Sequence, residues 1–213
     1  MKKVNKVQKL VEYEFHKWRR QLFVIDKVLM VLAILAFGFF RADYVVMVAY
    51  VFSLIHLAVT KRLSLLYHFI LSSAMAVVLV YVIQDEYGYN HDYATVFGLN
   101  TFSLFGWASG LFAMYIIYSH FEHVLKKPNT LKRFLLFTGM YWPILIVAET
   151  IGYYTFNIHN VATAAYAGLP LCQCMHAPWW MQLAYFSMGP LYILFAMVLK
   201  LENPHSKPKR SSL

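Results

Sequence analysis

Residues 63–84 read LSLLYHFILSSAMAVVLVYVIQ, a stretch without a single Asp, Glu, Lys or Arg. Wound as a helix at about 1.5 Å per residue, such a run covers the roughly 30 Å hydrocarbon core of a bilayer. Two further stretches, Tyr93 to Phe121 and Thr150 to Leu199, are equally free of charge. Of the 213 residues, 60% are hydrophobic and only 14% charged, too little polar surface to cover a soluble domain of this size. These features exclude a soluble enzyme and a disordered chain. The fold class they predict is an all-α polytopic membrane protein.

Apolar spans at 22–40, 44–60, 63–83, 95–118, 131–154 and 178–199 predict six transmembrane helices joined by short connections. A net charge of +9 would suggest nucleic-acid binding in a soluble protein, but here its distribution reports topology. With the N-terminus placed in the cytoplasm, every Lys and Arg except Arg41 falls on the inner face. They are the group from Lys2 to Lys27, then Lys61 and Arg62, then Lys126, Lys127, Lys132 and Arg133, and finally Lys200, Lys207, Lys209 and Arg210. The acids divide evenly between the faces. This is the positive-inside pattern, so the expected location is the cytoplasmic membrane with both termini inside. The expected partner is the lipid bilayer and no nucleic acid.

Three regions follow. Residues 1–21 form a basic amphipathic helix, because Val4, Val7, Val11, Phe15, Trp18 and Leu22 recur at three- and four-residue steps. Its cations suit the anionic inner leaflet, and Met1 to Arg20 is too charged to supply a signal-peptide core. Residues 22–200 are the six-helix domain, with a long outer loop at 150–177, and no internal repeat divides them. Residues 201–213 are a basic tail whose composition predicts disorder.

The candidate chemistry begins at Glu149. It lies sixteen residues after Arg133, hence about 24 Å along the fifth span and still short of the far boundary. A carboxyl at that depth costs several kcal/mol unless protonated, hydrated or paired, which makes it a functional candidate. On the fourth span Asn100, Ser103, Trp107, Gly110 and Met114 follow three- and four-residue steps, a small or polar seam that faces other helices. Gln182 and Tyr185 lie at similar depth on the sixth span, inside the interfacial pair Trp179 and Trp180, and Tyr81 lies near the exit of the third. The expected substrate-binding set is therefore Asn100, Gln182, Tyr185, Tyr81 and Trp142. The structural alternative is that these groups only bond helices together.

The loop 150–177 is long for a connector and apolar, which predicts that it packs back as a lid or re-entrant segment. His159 or His176 would then join Glu149 as catalytic acid/base partners. Opposite it, Asp85-Glu86-Tyr87-Gly88-Tyr89-Asn90-His91-Asp92 reads as a solvated turn, with cation binding the alternative. Cys172 and Cys174 stand two apart, too close for an ordinary unstrained disulfide and not a Cys-x-x-Cys pair. With His176 they offer three ligands, but zinc sites use wider spacing. Loop packing or pairing with a partner is the stronger expectation. His56, His68, His120 and His123 fall toward the inner side and would bind haem or metal only if the helices converge. No metal is assigned, and no cofactor.

Glu149-Thr150-Ile151-Gly152, followed by Gly168-Leu169-Pro170-Leu171 and Trp179-Trp180, resembles the acidic Glu-x-x-Gly stretch and following Gly/Pro segment of membrane carotenoid-biosynthesis proteins. The resemblance covers residues 149–180 and implies an isoprenoid substrate. Aromatic residues make up 18% of the chain, and their π faces suit polyenes and cationic intermediates. The leading expectation is a membrane enzyme acting on an isoprenoid, carotenoid or other lipid. The alternatives are a small proton- or cation-linked transporter or channel, and a haem-binding or accessory subunit of a membrane complex. Homo-oligomers and membrane complexes are the protein partnerships these readings allow.

Overall fold

A computed structural model describes residues 24–25, 28–29, 31–32, 35–125, 129–201 and 203, without the side chain of His123. The chain divides into two units, residues 1–40 and 41–213. In the first, the described residues Val24, Ile25, Val28, Leu29, Val31, Leu32, Leu35 and Ala36 are helical. The N-terminal amphipathic helix, most of the basic tail and residues 22–23, 26–27, 30 and 33–34 of the expected first span lie outside the described residues.

The second unit contains five long helices: α1 (Ala42–Val59), α2 (Leu63–Val82), α3 (Thr101–Phe121), α4 (Thr130–Tyr154) and α5 (Trp179–Val198). All five are long and apolar enough to cross a membrane. Large apolar side chains such as Val48, Val59, Val78, Leu183 and Val198 stay exposed along them, as lipid-facing positions require. The chain is built as a membrane-embedded helical protein.

Local sequence explains where the helices begin and end. Asn100 caps α3 by accepting the Ser103 N–H at 3.1 Å, and Asn129 caps α4 by accepting the Lys132 N–H at 2.8 Å. At the end of α1, Lys61 takes φ 53°, Arg62 N–H donates to Leu57 O and Lys61 N–H to Ala58 O. The end of α5 repeats this with Lys200 at φ 54°, Leu201 N–H on Ala196 O and Lys200 N–H on Met197 O. Both are Schellman closures with a lysine where glycine is usual.

The expected fourth span is corrected at its start. Residues 95–100 form a hairpin of β1 (Thr95–Val96) and β2 (Leu99–Asn100), antiparallel, with Thr95 opposite Asn100. Phe97 and Gly98 both take positive φ, as a two-residue hairpin turn demands, and so end the helix pattern before α3.

Helix α3 packs against α1, α2, α4 and α5. Its Phe112 meets Phe69 of α2 edge-on at 5.0 Å, and Tyr118 meets Phe137 of α4 at 5.2 Å. His68, fully buried, stacks on Tyr115 at 3.6 Å and has the Tyr192 hydroxyl 3.0 Å from Nδ1. Between α4 and α5 the approach is closest at Gly189, where a Cβ would overlap the Tyr141 ring. Pro190 lies one residue on, and lacking an N–H it cannot serve the carbonyl of Phe186 four residues back. The indole of Trp142 on α4 fills that vacancy, donating to Phe186 O at 2.9 Å. Trp142→Phe should therefore destabilise the unit by about 1 kcal/mol through an unpaired carbonyl. Thermal unfolding in detergent checks this; an unchanged melting temperature contradicts the role.

Candidate functional site

One end of the second unit carries Arg41, the segment 83–100 and the loop 155–178; the other carries Lys61, Arg62, Glu122, Arg133 and Lys200. At the first end, Asp43 in the opening turn of α1 is fully buried. It accepts from Arg41 at 2.9 Å and from Ala94 N–H at 3.0 Å, while Arg41 also donates to Asp92 O. At the second, Glu122 pairs with Arg133 at 2.6 Å.

The loop 155–178 is a cap tied to the segment 84–92. Asn90 donates to Asn157 O and accepts from His159 N–H, each at 2.8 Å. Asn160 returns the arrangement, donating to Glu86 O at 2.8 Å and accepting from Gly88 N–H at 3.1 Å. Gly88 suits the close approach, since a Cβ there would lie 3.1 Å from Ala162 Cβ. The sequence predicts a packed-back loop at 150–177 and a solvated turn at 85–92 but does not pair them, because their partners are backbone groups some seventy residues away. The expected solvated turn at 85–92 is thus corrected to one half of this lock.

Under the cap, several polar side chains meet around Tyr87. Its hydroxyl oxygen accepts from the Trp107 indole at 3.0 Å and from the Tyr185 hydroxyl at 3.1 Å. With two donors on its oxygen, Tyr87 keeps its own hydrogen to donate. Tyr89 meets Ser103 Oγ at 3.0 Å, and Trp107 lies against the Tyr185 ring at 4.8 Å. The Tyr141 hydroxyl donates to Tyr185 O at 2.6 Å. Burial pushes the phenols of Tyr87 and Tyr89 well up, and a charge on Glu149 adds to this, so both stay neutral O–H groups.

Glu149, half-buried on α4, lies in electrostatic range of Tyr87, Tyr89, Tyr141 and Tyr185. No hydrogen bond or ion pair to Glu149 occurs among the described residues. A carboxyl beside neutral phenols, with no cation fixing its charge, can give or take a proton.

Of the residues singled out from sequence, Glu149 and Tyr185 share this cluster. Asn100 adjoins it through Ser103, 3.4 Å from its Oδ1, while also capping α3. Gln182 is spent on the cap, donating to Ala167 O at 3.1 Å and Ala177 O at 2.9 Å. Tyr81 is 65% exposed on the outer surface of α2, and the indole N–H of Trp142 is committed to Phe186. His159 stacks on Tyr153 at 4.0 Å with Nε2 on its carbonyl. His176 directs Nδ1 to Tyr166 O at 2.7 Å and Nε2 to Gln173 O at 3.0 Å. Both imidazoles are thereby engaged by backbone carbonyls.

His56 stacks on Phe52 and His68 lies in the aromatic core. His120 is in the last turn of α3. No three His, Cys, Asp or Glu converge among the described residues. Sequence reading missed Tyr87, Tyr89 and Tyr141. The Tyr87-Gly88-Tyr89 triplet beside three acids was a signal, since aromatic rings seldom decorate a plain solvated turn.

Cys172 and Cys174 are joined in a disulfide, with Cα atoms 5.1 Å apart. The spacing argument against such a bond is corrected: Gln173 adopts φ 49°, which folds the three residues tightly enough for the sulfurs to meet.

No protein-family model, curated protein or solved structure matches the chain. Its function is therefore argued from this geometry. If the asparagine lock holds the cap over the cluster, Asn160→Ala should raise amide hydrogen exchange in both 84–92 and 155–163 while the helix interiors stay protected. Exchange measured by mass spectrometry on the purified protein checks this, and a rise confined to one segment contradicts the lock.

Proposed function

We propose that the chain is a membrane enzyme that performs acid/base chemistry on a hydrophobic, isoprenoid-like substrate, with Glu149 as proton donor and acceptor. One observation carries the reading. Glu149 is the only Asp, Glu, Lys or Arg from Phe134 to Leu199, and it lies beside a hydroxyl cluster without an ion-pair partner among the described residues. A carboxyl retained at that depth for structure alone would be expected to have a cation or a hydrogen-bonded partner.

In this reading the substrate enters from the bilayer and lays its unsaturated chain against Trp107, Tyr185 and Tyr87. Glu149 delivers a proton to a carbon–carbon double bond or removes one from an allylic position. The aromatic faces stabilise positive charge that develops on the chain, and the Tyr87 hydroxyl, kept neutral by burial, supplies a hydrogen-bond donor near the reacting group during the proton transfer. In this reading the basic end of the helices, carrying Lys61, Arg62 and Lys200, faces the cytoplasm and the cluster lies in the outer leaflet, a proposal supported by the positive-inside pattern. His159 and His176 act here as struts of the cap. The residues that bind substrate are Tyr185, Asn100 and the aromatic groups around Tyr87.

The test is mass spectrometry of the lipid extract from cells producing the wild type, Glu149→Gln or Tyr87→Phe at matched levels. Glu149→Gln should lower the product by about a hundredfold or more, the usual worth of a positioned acid or base. Tyr87→Phe, which keeps the ring, should cost about tenfold. Identical extracts from wild type and Glu149→Gln would falsify the proposal.

A further inference from the structure

The Cys172–Cys174 disulfide has features that a structural staple does not need. Closing a turn of one intervening residue removes only about half the chain entropy that a fifteen-residue loop would lose. The same turn is already held by backbone bonds. Gln173 N–H donates to Leu169 O at 2.7 Å, and Leu169 N–H to Cys174 O at 2.9 Å. Gly168 admits this packing, because a Cβ there would lie 2.9 Å from the Gln173 carbonyl carbon. Gln173 and Met175, on either side of Cys174, both sit in the left-handed region at φ 49° and 55°, which disfavours residues with side chains. The pair thus adds little to the cap while holding its own turn in an uncommon conformation.

The two sulfurs also have unequal surroundings. Cys174 is fully buried, whereas Cys172 is partly exposed at the cap surface. The Cys174 amide N–H points at Cys172 Sγ, 3.3 Å away. The Thr150 hydroxyl, which donates to Ile146 O at 2.7 Å, lies 3.6 Å from Cys174 Sγ. It can turn its hydrogen to that sulfur when negative charge appears there. No Asp or Glu occurs from Thr150 to Leu199, and the acid next along the chain is Glu149.

We infer that Cys172–Cys174 is a thiol–disulfide exchange centre that oxidises a dithiol of a second protein, with Cys172 as the sulfur attacked. A thiolate of the incoming dithiol attacks Cys172 Sγ. The Cys172–Cys174 bond breaks, its electron pair leaves on Cys174 Sγ beside Thr150, and that sulfur takes a proton. The second thiolate of the substrate then attacks its own sulfur in the mixed disulfide. Cys172 leaves as a thiolate under the Cys174 N–H and is protonated in turn. The substrate dithiol loses two electrons and becomes a disulfide; the cysteine pair gains them and becomes two thiols, which hold the two protons released. This inference does not depend on Glu149.

The test uses the full chain in detergent or lipid nanodiscs, equilibrated with glutathione buffers, quenched in acid and labelled with a polyethylene glycol maleimide. The wild-type pair should be half reduced at millimolar reduced glutathione, with its melting transition retained. A pair that stays oxidised throughout, or whose reduction abolishes the melting transition, marks a structural staple and overturns the inference. In single variants, Cys174→Ser should form a mixed disulfide with oxidised glutathione, or with the disulfide form of a synthetic two-cysteine peptide, at least about tenfold faster than Cys172→Ser. Equal rates, or the reverse order, overturn the assignment of Cys172. Should a variant fail to fold, the wild-type titration decides by itself.

Discussion

Between its helix ends, this protein obeys one constraint above the others: a polar group at membrane depth must find its partner inside the protein, because lipid offers none. Pro190 breaks the helical ladder of α5, and the Trp142 indole from α4 supplies the missing donor. Ser72 and Ser73 turn back to Phe69 O, and Thr150 to Ile146 O. Tyr141 reaches Tyr185 O across the place where Gly189 lets the two helices touch. At Trp142 and Tyr141, helix pairing and polar satisfaction are thus the same events. Buried hydroxyls of Ser109, Tyr118 and Thr138 also go without a hydrogen bond among the described residues, but the half-buried Glu149 differs from them in being able to ionise, and it is the group that attracts a functional explanation.

The sequence showed the helices because hydropathy and charge are properties of contiguous runs. Four expected spans match α1, α2, α4 and α5 to within two residues at either end. The fourth span starts later than expected because Phe97 and Gly98 adopt a hairpin turn that an apolar average cannot register. Glu149 was legible because a charge alone in an apolar span stands out at any alignment of the helices. Its surroundings were not legible to the same degree. Helical spacing finds residues that share a face, and so it found Tyr185 and the seam of Asn100, Ser103 and Trp107. It cannot tell which polar group satisfies a neighbour's backbone, as the donors of Gln182 and Trp142 do for Ala177 O and Phe186 O.

The cap shows the same limit in another form. Asn90 and Asn160 each read the backbone of the other's segment, a reciprocity spread over some seventy residues of chain that leaves no local pattern. The disulfide was misjudged for a different reason. Spacing rules assume ordinary backbone angles, and Gln173 does not have them. The polar cluster beneath the cap combines both situations: a loop tyrosine, Tyr87, meets a helix tryptophan and a helix tyrosine from α3 and α5.

Lys61 and Lys200 each do two things at once. Each takes the left-handed conformation that closes its helix, and each places a cation at the same end of the second unit. The stopping point of the helix and the electrostatic marker of the membrane boundary are therefore one residue. Lengthening α1 or α5 by a residue therefore moves the closure and the charge together, whereas glycine in place of either lysine would keep the closure and lose the charge.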